Sequence, residues 1–281
     1  MTTAMTNPMT TRPSPDDSGR VRTLAQPAGF GQDVTSVAAR ALRQILRDPE
    51  AVIPSLFVGV FFYAVQVGVL QDLVMASSPA GLDFKAFLLP MGIVFAITGV
   101  SRAAALVTDI QSGYFDRLLV TPIRRTALLL GLMIADLVLV LVLASLVSVA
   151  GLLFGVRFVT GPLGFISFLA LCALWGLAFA GFPYAVALRT GNPAAVNASF
   201  LLFMPFAFLS TAFVPRDAMT GWMAEIVQYN PVTYLLEALR ALLMVGWDGP
   251  VLAQGIGAVG AVFVVTLTLS ALALRGRVSR A

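Results

Sequence analysis

Six long apolar stretches, each bounded by polar or turn-forming residues, dominate the hydropathy pattern of the 281-residue chain. A helix that crosses the hydrocarbon core of a bilayer, which is about 30 Å thick, needs about 20 such residues. The pattern therefore predicts an all-α integral membrane protein with six transmembrane helices. Their approximate bounds are 51–70, 87–107, 127–153, 162–188, 194–214 and 252–274.

The first 33 residues lack this pattern and are rich in Thr, Pro, Asp and Gly. Low hydrophobicity without periodicity is typical of disorder, so residues 1–33 are predicted to be a disordered tail. This tail contains no short apolar core, and we therefore expect no cleaved signal peptide. Residues 34–281 are predicted to form a single transmembrane domain.

An amphipathic segment connects the tail to the first predicted span. Its apolar side chains recur with the i, i+3, i+4 and i+7 spacing of one helical face, and its arginines lie off that face. The face consists of Val34, Val37, Ala38, Ala41, Leu42, Ile45 and Leu46. We expect this helix to lie in the membrane interface, because the first span begins only a few residues later. A soluble helix packed on a partner is the alternative interpretation.

Composition agrees with a lipid environment. Hydrophobic residues make up 58% of the chain and charged residues 11%, with a mean hydropathy of +0.90. Soluble proteins are about 45–50% apolar and about 25% charged. A chain this apolar cannot hide its surface from water in one globular core, so part of its solvent must be lipid.

Residue counts remove several kinds of chemistry. The chain has no His and a single Cys, Cys172, which excludes Ser-His-Asp triads, His-containing zinc sites and disulfides. Its only lysine, Lys85, lies outside any Gly-x-x-x-x-Gly-Lys-Ser/Thr loop, so the chain does not bind ATP through a P-loop. We expect no catalytic residue, no metal site, no bound cofactor and no nucleic-acid partner.

The basic residues predict the orientation of the spans. If the N-terminus is cytoplasmic, fourteen of the eighteen Arg and Lys residues lie on the cytoplasmic side. The other four are Lys85, Arg157, Arg216 and Arg240. Because an excess of basic residues marks the cytoplasmic side, both termini are predicted to be cytoplasmic.

The cytoplasmic loop over residues 108–125 is more than a plain turn. Its centre has the composition of a short helix that ends at Pro122. Aromatic and charged side chains on such a helix suit a contact with another protein. A solvated turn whose arginines only set the topology is an equally good interpretation of the residues alone.

The external segment over residues 215–249 divides at Asn230-Pro231 into two halves of roughly 12–15 residues. Each half is about 18–22 Å long as a helix, which is too short to span the membrane. Trp222 lies on the apolar face of the first half, and Glu237 and Arg240 lie off the apolar face of the second. We predict a re-entrant helical hairpin in the outer leaflet. Two helices lying flat in the interface are the alternative.

One carboxylate, Asp136, lies well inside a predicted span, and Arg102 lies at a similar level in the span before it. A charge in lipid is costly and is usually paired. We predict that Asp136 pairs with Arg102 or with a polar group of a neighbouring helix. The alternatives are that Arg102 extends to the lipid headgroups and that Asp136 is protonated or bonds to a backbone group.

Three motifs, in this order around the predicted spans, resemble the permease subunits of ABC type-2 exporters. The first is Gly-Tyr-Phe-Asp-Arg-Leu-Leu-Val-Thr-Pro over residues 113–122. The second is Leu-Ser-Thr-Ala-Phe-Val-Pro over 209–215, followed by Gly-Trp at 221–222. The third is Asn-Pro-Val-Thr-Tyr over 230–234, followed by Glu-Ala-Leu-Arg over 237–240. The resemblance covers about residues 35–275 and is closest to the daunorubicin-resistance type of Gram-positive bacteria.

This resemblance implies that residues 34–281 are an ABC type-2 transmembrane domain in the bacterial plasma membrane. It implies a dimer, with a second copy of the permease and two copies of a separate ABC ATPase that binds ATP and Mg. It further implies that residues 113–119 form the coupling helix that contacts the ATPase. The residues carried over to this role are Gly113, Tyr114, Phe115, Asp116, Arg117, Leu118 and Pro122.

Exporters of this type move amphipathic drugs, lipids or lipid-linked saccharides, so the resemblance implies an amphipathic small-molecule substrate and contact with membrane lipids. A secondary transporter driven by an ion gradient is the alternative function. That class often has two related halves and several charged sites at mid-membrane, which this sequence lacks. A membrane enzyme would need unusual residues, and an assembly or immunity factor stays open. Association with a P-loop ATPase separates the first two functions.

Overall fold

The computed structural model describes residues 29–47, 52–75, 83–113 and 125–278. These residues form helices and turns without a strand, so the all-α prediction is confirmed for them. The helices are α1 (Phe30–Arg47), α2 (Ile53–Met75), α3 (Phe84–Thr98), α4 (Ala103–Gln111), α5 (Arg125–Leu153), α6 (Gly161–Thr190), α7 (Pro193–Ser199), α8 (Phe203–Phe208), α9 (Trp222–Val227), α10 (Pro231–Arg240) and α11 (Gly249–Val278). A 3-10 turn (Phe200–Leu202) joins α7 to α8, and a π-helical turn (Ala241–Val245) continues α10.

Four stretches are long and apolar enough to cross a membrane, and they correspond to predicted spans two, three, four and six. They are Phe84–Gln111, Leu129–Leu153, Gly161–Thr190 and Gly249–Gly276. The stretches of spans one and five contain shorter apolar helices, Ile53–Val69 and Pro193–Phe208. The backbone of α2 continues to Met75, beyond the last of its described side chains. A helical, multi-pass membrane architecture is supported, and the count of six spans stays a prediction.

The outward surface of α5 shows why this fold needs lipid. Large apolar side chains are exposed at every third or fourth position along the helix, which places them on one face. They are Leu130, Ile134, Val138, Val142, Leu146 and Val149. An exposed apolar stripe of this length is unfavourable in water and marks a surface that contacts a membrane or another protein.

Helix α3 lies at the centre of the fold. It is buried from Ala86 to Thr98, and Trp175 of α6 donates a hydrogen bond from its indole Nε1 to the hydroxyl of Thr98, at 2.9 Å. By contrast, α11 exposes much of its surface, with Ile256 and Val264 more than half exposed. The helices therefore surround α3, and α11 forms part of the periphery.

The N-terminal amphipathic helix is present and packs on the chain itself. Val34, Ala38 and Ala41 are buried, as the periodicity predicted. The helix crosses α5 so closely at Gly131 that a Cβ atom there would lie 2.6 Å from that of Val37. It also begins at Phe30, inside the segment predicted as tail, of which residues 1–28 lie outside the described residues.

Predicted span two is divided into two helices. α3 ends at Thr98 and α4 begins at Ala103, so the four residues from Gly99 to Arg102 interrupt a stretch that the hydropathy pattern predicted to be one helix. The continuous helix predicted for 87–107 was therefore wrong. Its physical reason is the set of side-chain partners, described below, that take up the free backbone groups at the break.

Predicted span five is also shorter than the hydropathy pattern indicated. Its helical part ends at Phe208 rather than at residue 214, and the residues that follow form turns. Pro205 cannot donate a helical hydrogen bond, and the 3-10 turn directly precedes its helix. Pro193–Phe208 has at most 17 residues, or about 26 Å, against about 30 Å of hydrocarbon.

Candidate functional site

Two clusters of polar side chains occupy the places where span two and span five are interrupted. The outer cluster consists of Asn230 and Arg240 with the backbone carbonyls that they contact. The inner cluster consists of Ser101, Arg102, Asp136 and Tyr184. All of these residues except Ser101 and Tyr184 were predicted as site residues from the sequence.

Asn230 caps two helices at once. Its amide nitrogen donates to the carbonyl oxygens of Phe206 and Leu209, both at 2.6 Å, at the end of α8. Its amide oxygen accepts the N–H of Val232 at 3.0 Å, which caps the start of α10, and Pro231 occupies the first turn. A helix that ends inside the membrane needs such donors, because its last carbonyls have no helical partners.

Arg240 ties α10 to α3 and to the turn after α8. Its Nε donates to the carbonyl of Phe87 at 2.9 Å, and an Nη2 donates to the carbonyl of Ala212 at 3.1 Å. The guanidinium also stacks on the ring of Phe87, 3.5 Å from its centroid. Burial lowers the pKa of Arg240 to about 9, with Glu237 opposing the shift, so the side chain stays charged at neutral pH.

The outer segment is a hairpin with unequal arms. The first arm contains only the six-residue helix α9, which corrects the predicted helix of 12–15 residues, and its Trp222 is exposed. The second arm is buried along α10, and its end accepts hydrogen bonds at the carbonyls of Leu242 and Leu243 from the loop between α5 and α6. Glu237 is half-buried, and burial raises its pKa against the opposing effect of Arg216 and Arg240.

Asp136 holds the break in span two from the neighbouring helix. Its Oδ1 accepts the backbone N–H of Arg102 at 2.9 Å, and its Oδ2 accepts the hydroxyl of Tyr184 at 2.6 Å. Ser101 reaches the same oxygen at 3.5 Å and also accepts the N–H of Ala103. A carboxylate at a helix N-terminus is favourable, because the free N–H groups there carry partial positive charge. Asp136 is fully buried, so these donors replace water.

The prediction for Asp136 and Arg102 is therefore refined. The two residues are adjacent, but the hydrogen bond from Arg102 to the carboxylate comes from its main chain and not from its guanidinium. The polar group of a neighbouring helix is Tyr184, which the sequence analysis missed. Tyr184 lies about 9 Å inside the end of span four at Thr190, at a depth similar to that of Arg102. That match of depths was the signal that could have identified it.

The predicted coupling segment is represented by its first residue only. Gly113 has a positive φ of 69° and donates its N–H to the carbonyl of Ile110, which ends α4. The other predicted contact residues lie outside the described residues. They are Tyr114, Phe115, Asp116, Arg117, Leu118 and Pro122.

Comparison with known proteins agrees with the sequence motifs. A family model described as ABC-2 type transporter matches residues 32–244, which include both clusters. The chain is 30% identical over 220 residues to the "Probable doxorubicin resistance ABC transporter permease protein DrrC" of Mycobacterium tuberculosis, with 78% of each chain covered. It is also 30% identical over 164 residues to the "Daunorubicin resistance ABC transporter permease protein DrrB1" of Streptomyces coeruleorubidus, covering 57% of this chain and 58% of that protein.

Proposed function

Because this chain belongs to the ABC-2 type transporter family, as the membrane permease subunit of an ABC exporter, we propose that it moves amphipathic, drug-like molecules out of the cell. The two relatives are named for resistance to doxorubicin and daunorubicin, which are large amphipathic compounds. ATP and Mg are bound by a separate ATPase subunit, since the only lysine of this chain lies outside any P-loop motif.

The observation that carries this proposal is the buried second arm of the outer hairpin. α10 lies between the end of α8 and the loop that joins α5 to α6, and Asn230 and Arg240 hold it there. A re-entrant element that is fixed by polar contacts closes the external end of a path along α3. Irregular backbone at membrane depth is tolerated only when it is buried in protein or lines a cavity.

The complex that we propose contains two permeases and two ATPases in the bacterial plasma membrane, with six spans and both termini in the cytoplasm. The clustering of loops supports this orientation. Gln111 at the end of α4 donates to Gly191 of the α6–α7 loop at 3.0 Å, and Arg40 of α1 joins Asp109. Each of these segments is on the side predicted to be cytoplasmic, next to the coupling segment that begins at Gly113.

A pull-down tests the proposal. The tagged chain is extracted gently from native membranes, and the proteins that accompany it are identified by mass spectrometry. We expect a stoichiometric P-loop ATPase, which is lost in the Phe115→Ala and Arg117→Ala variants. Arg157→Ala, a change of the same size on the predicted external side, serves as the matched control and keeps the ATPase.

Transport is then measured in proteoliposomes with a fluorescent anthracycline and, in parallel, with a lipid-linked saccharide. ATP-dependent movement of the anthracycline supports the proposal, whereas movement of the saccharide alone reassigns the substrate. Recovery of the permease without any ATPase, under conditions that preserve other ABC complexes, contradicts the proposal and favours gradient-driven transport.

A further inference from the structure

Helix α4 is a separate element between the break in span two and the predicted coupling segment. Its nine residues follow the break at Arg102 and end at Gly113, whose left-handed backbone terminates the helix. The predicted ATPase contact begins at the next residue, Tyr114. A displacement of that contact must therefore pass through α4 before it reaches the membrane-embedded part of the chain.

α3 and α4 pack into different parts of the core, although both belong to one predicted span. α3 buries its side chains in a large cluster that includes Trp175 and Leu143. α4 buries Leu106 and Val107 in a second cluster, together with Leu188 of α6. The break lies at the boundary of the two clusters, so α4 is joined more closely to the inner ends of α5 and α6 than to α3.

Polar contacts hold both ends of α4. At its start, the carboxylate of Asp136 accepts the N–H of Arg102. At its end, an Nη2 of Arg40 lies 2.6 Å from Oδ2 of Asp109 in an ion pair, and Nε2 of Gln111 donates to the carbonyl of Gly191. The helix is thus fixed to α5 at one end and to α1 and α6 at the other.

This arrangement has two discrete states available to it. Asp136 is fully buried, and its donors cannot be replaced by water when α4 moves. A carboxylate that loses a donor in a low-dielectric environment is strongly destabilised, so Asp136 must follow Arg102 or exchange partners. Tyr184 donates to the same carboxylate from α6, whose C-terminal Gly191 contacts Gln111. A shift of α4 is therefore transmitted to α5 and α6 together.

We propose that α4 acts as a lever that carries movement of the ATPase-contacting segment to Asp136. Tyr184 and the ion pair of Arg40 with Asp109 are positioning residues for this lever. The inference rests on the proposed function, because it needs an ATPase that acts on the coupling segment. It assigns roles to Arg40, Asp109 and Tyr184, which sequence analysis did not select.

Charge exchange tests the cytoplasmic end of the lever. Arg40→Asp and Asp109→Arg are made singly and together, and the molecules transported per ATP hydrolysed are measured in proteoliposomes that contain the permease and its ATPase. We expect each single variant to lower this ratio about fivefold or more, at the lower end of typical allosteric couplings, and the double variant to restore it. Arg43→Asp, an exposed position on the same helix, is the matched control and keeps the ratio.

The ion pair is partly exposed, with 42% of the Arg40 side chain and 26% of the Asp109 side chain accessible. Such pairs contribute little to folding stability, so thermal unfolding should change much less than coupling does. If Arg40→Asp prevents insertion, the neutral variants Arg40→Gln and Asp109→Asn provide the same comparison. A transport ratio equal to wild type in every single variant overturns the lever.

Removal of the Tyr184 hydroxyl tests the membrane end. Tyr184→Phe keeps the ring and removes the hydrogen bond to Asp136, and we expect a lower transport ratio with unchanged recovery of the ATPase. Thr268→Val removes a hydroxyl from the exposed surface of α11, where it bonds within its own helix, and should have no effect. An unchanged ratio in Tyr184→Phe contradicts this assignment. Absence of an ATPase from the wild-type preparation instead contradicts the proposed function, which keeps the two failures distinct.

Discussion

Asn230 uses every polar atom of its side chain, and its two functions respond differently to substitution. Asp is as good an N-cap as Asn, because its oxygen accepts the same N–H group. It cannot donate, however, and in this position it would direct an oxygen at the carbonyls of Phe206 and Leu209. The residue therefore has to be an amide, which neither helix propensity nor hydropathy reveals.

We predict that Asn230→Asp and Asn230→Ala both destabilise the protein, by about 2–5 kcal/mol, since each leaves two buried carbonyls without donors. The measurement is thermal unfolding of the detergent-purified protein. Asn192→Asp is the matched control, because Asn192 caps α7 through its oxygen and is exposed. If Asn230→Asp unfolds at the wild-type temperature, Asn230 is only an N-cap.

Arg240 is specified in a similar way by geometry as well as by charge. Lys in its place would keep one positive charge but would lose the planar fork and the stacking on Phe87. We predict that Arg240→Lys lowers stability by about 1–3 kcal/mol and makes the hairpin easier to cleave by protease in intact cells. Lys85→Arg, the reverse exchange at a partly exposed site on the same side, should change neither measurement.

At the scale of elements, the close crossing of α1 and α5 depends on a missing side chain. Gly131 lies opposite Val37, and a Cβ atom there would also lie 3.1 Å from the carbonyl oxygen of Val34. Glycine inside a helix normally costs about 0.5–1 kcal/mol relative to alanine, so its presence here has a packing reason.

We therefore predict that Gly131→Ala destabilises the protein, in opposition to the intrinsic helix preference. Gly260→Ala in α11 meets no atom within 4 Å and should be neutral or slightly stabilising. The comparison is made by thermal unfolding. The double variant Gly131→Ala with Val37→Ala should recover part of the loss, because the smaller side chain makes room for the new methyl group. An equal response of the two glycines would show that α1 does not pack as described.

The same scale shows how far sequence reasoning reaches. The face of α1 followed from periodicity, because Val34, Ala38 and Ala41 are close in sequence and meet one neighbour. The break at Gly99–Arg102 did not, since Val100 and its neighbours continue the apolar run. The partner that stabilises this break, Asp136, lies 34 residues further along the chain. Boundaries that depend on distant donors are invisible to a local pattern.

The outer cluster repeats this lesson. Hydropathy carried span five to residue 214, because Phe213 and Val214 are apolar. The helix ends at Phe208, where Asn230 supplies donors from a segment 24 residues beyond Phe206. Asn230 and Arg240 were selected by their resemblance to family motifs, and the atoms that they contact became known only from the fold. The motifs thus located the site, whereas the packing defined its chemistry.

At the scale of the whole molecule, the unresolved question is whether the two shorter apolar helices cross the membrane. Pro193–Phe208 alone is too short for an average bilayer, yet the re-entrant arm meets its end at Asn230. Together they can complete one crossing, because the hairpin supplies the protein environment that the missing turn of helix would otherwise need. The same reasoning makes the sidedness of the flanking residues a direct test of the architecture.

We predict that single cysteines on opposite sides of these two stretches react differently with a membrane-impermeant maleimide applied to intact cells. Ser78→Cys and Asp217→Cys should be labelled, whereas Ser36→Cys and Thr190→Cys should react only after the membrane is permeabilised. The native Cys172 is fully buried and gives the background. Equal labelling of Thr190→Cys and Asp217→Cys would mean that span five does not cross, and equal labelling of Ser36→Cys and Ser78→Cys would mean the same for span one. The arginine asymmetry predicts the first pattern, because fourteen of the eighteen basic residues then face the cytoplasm.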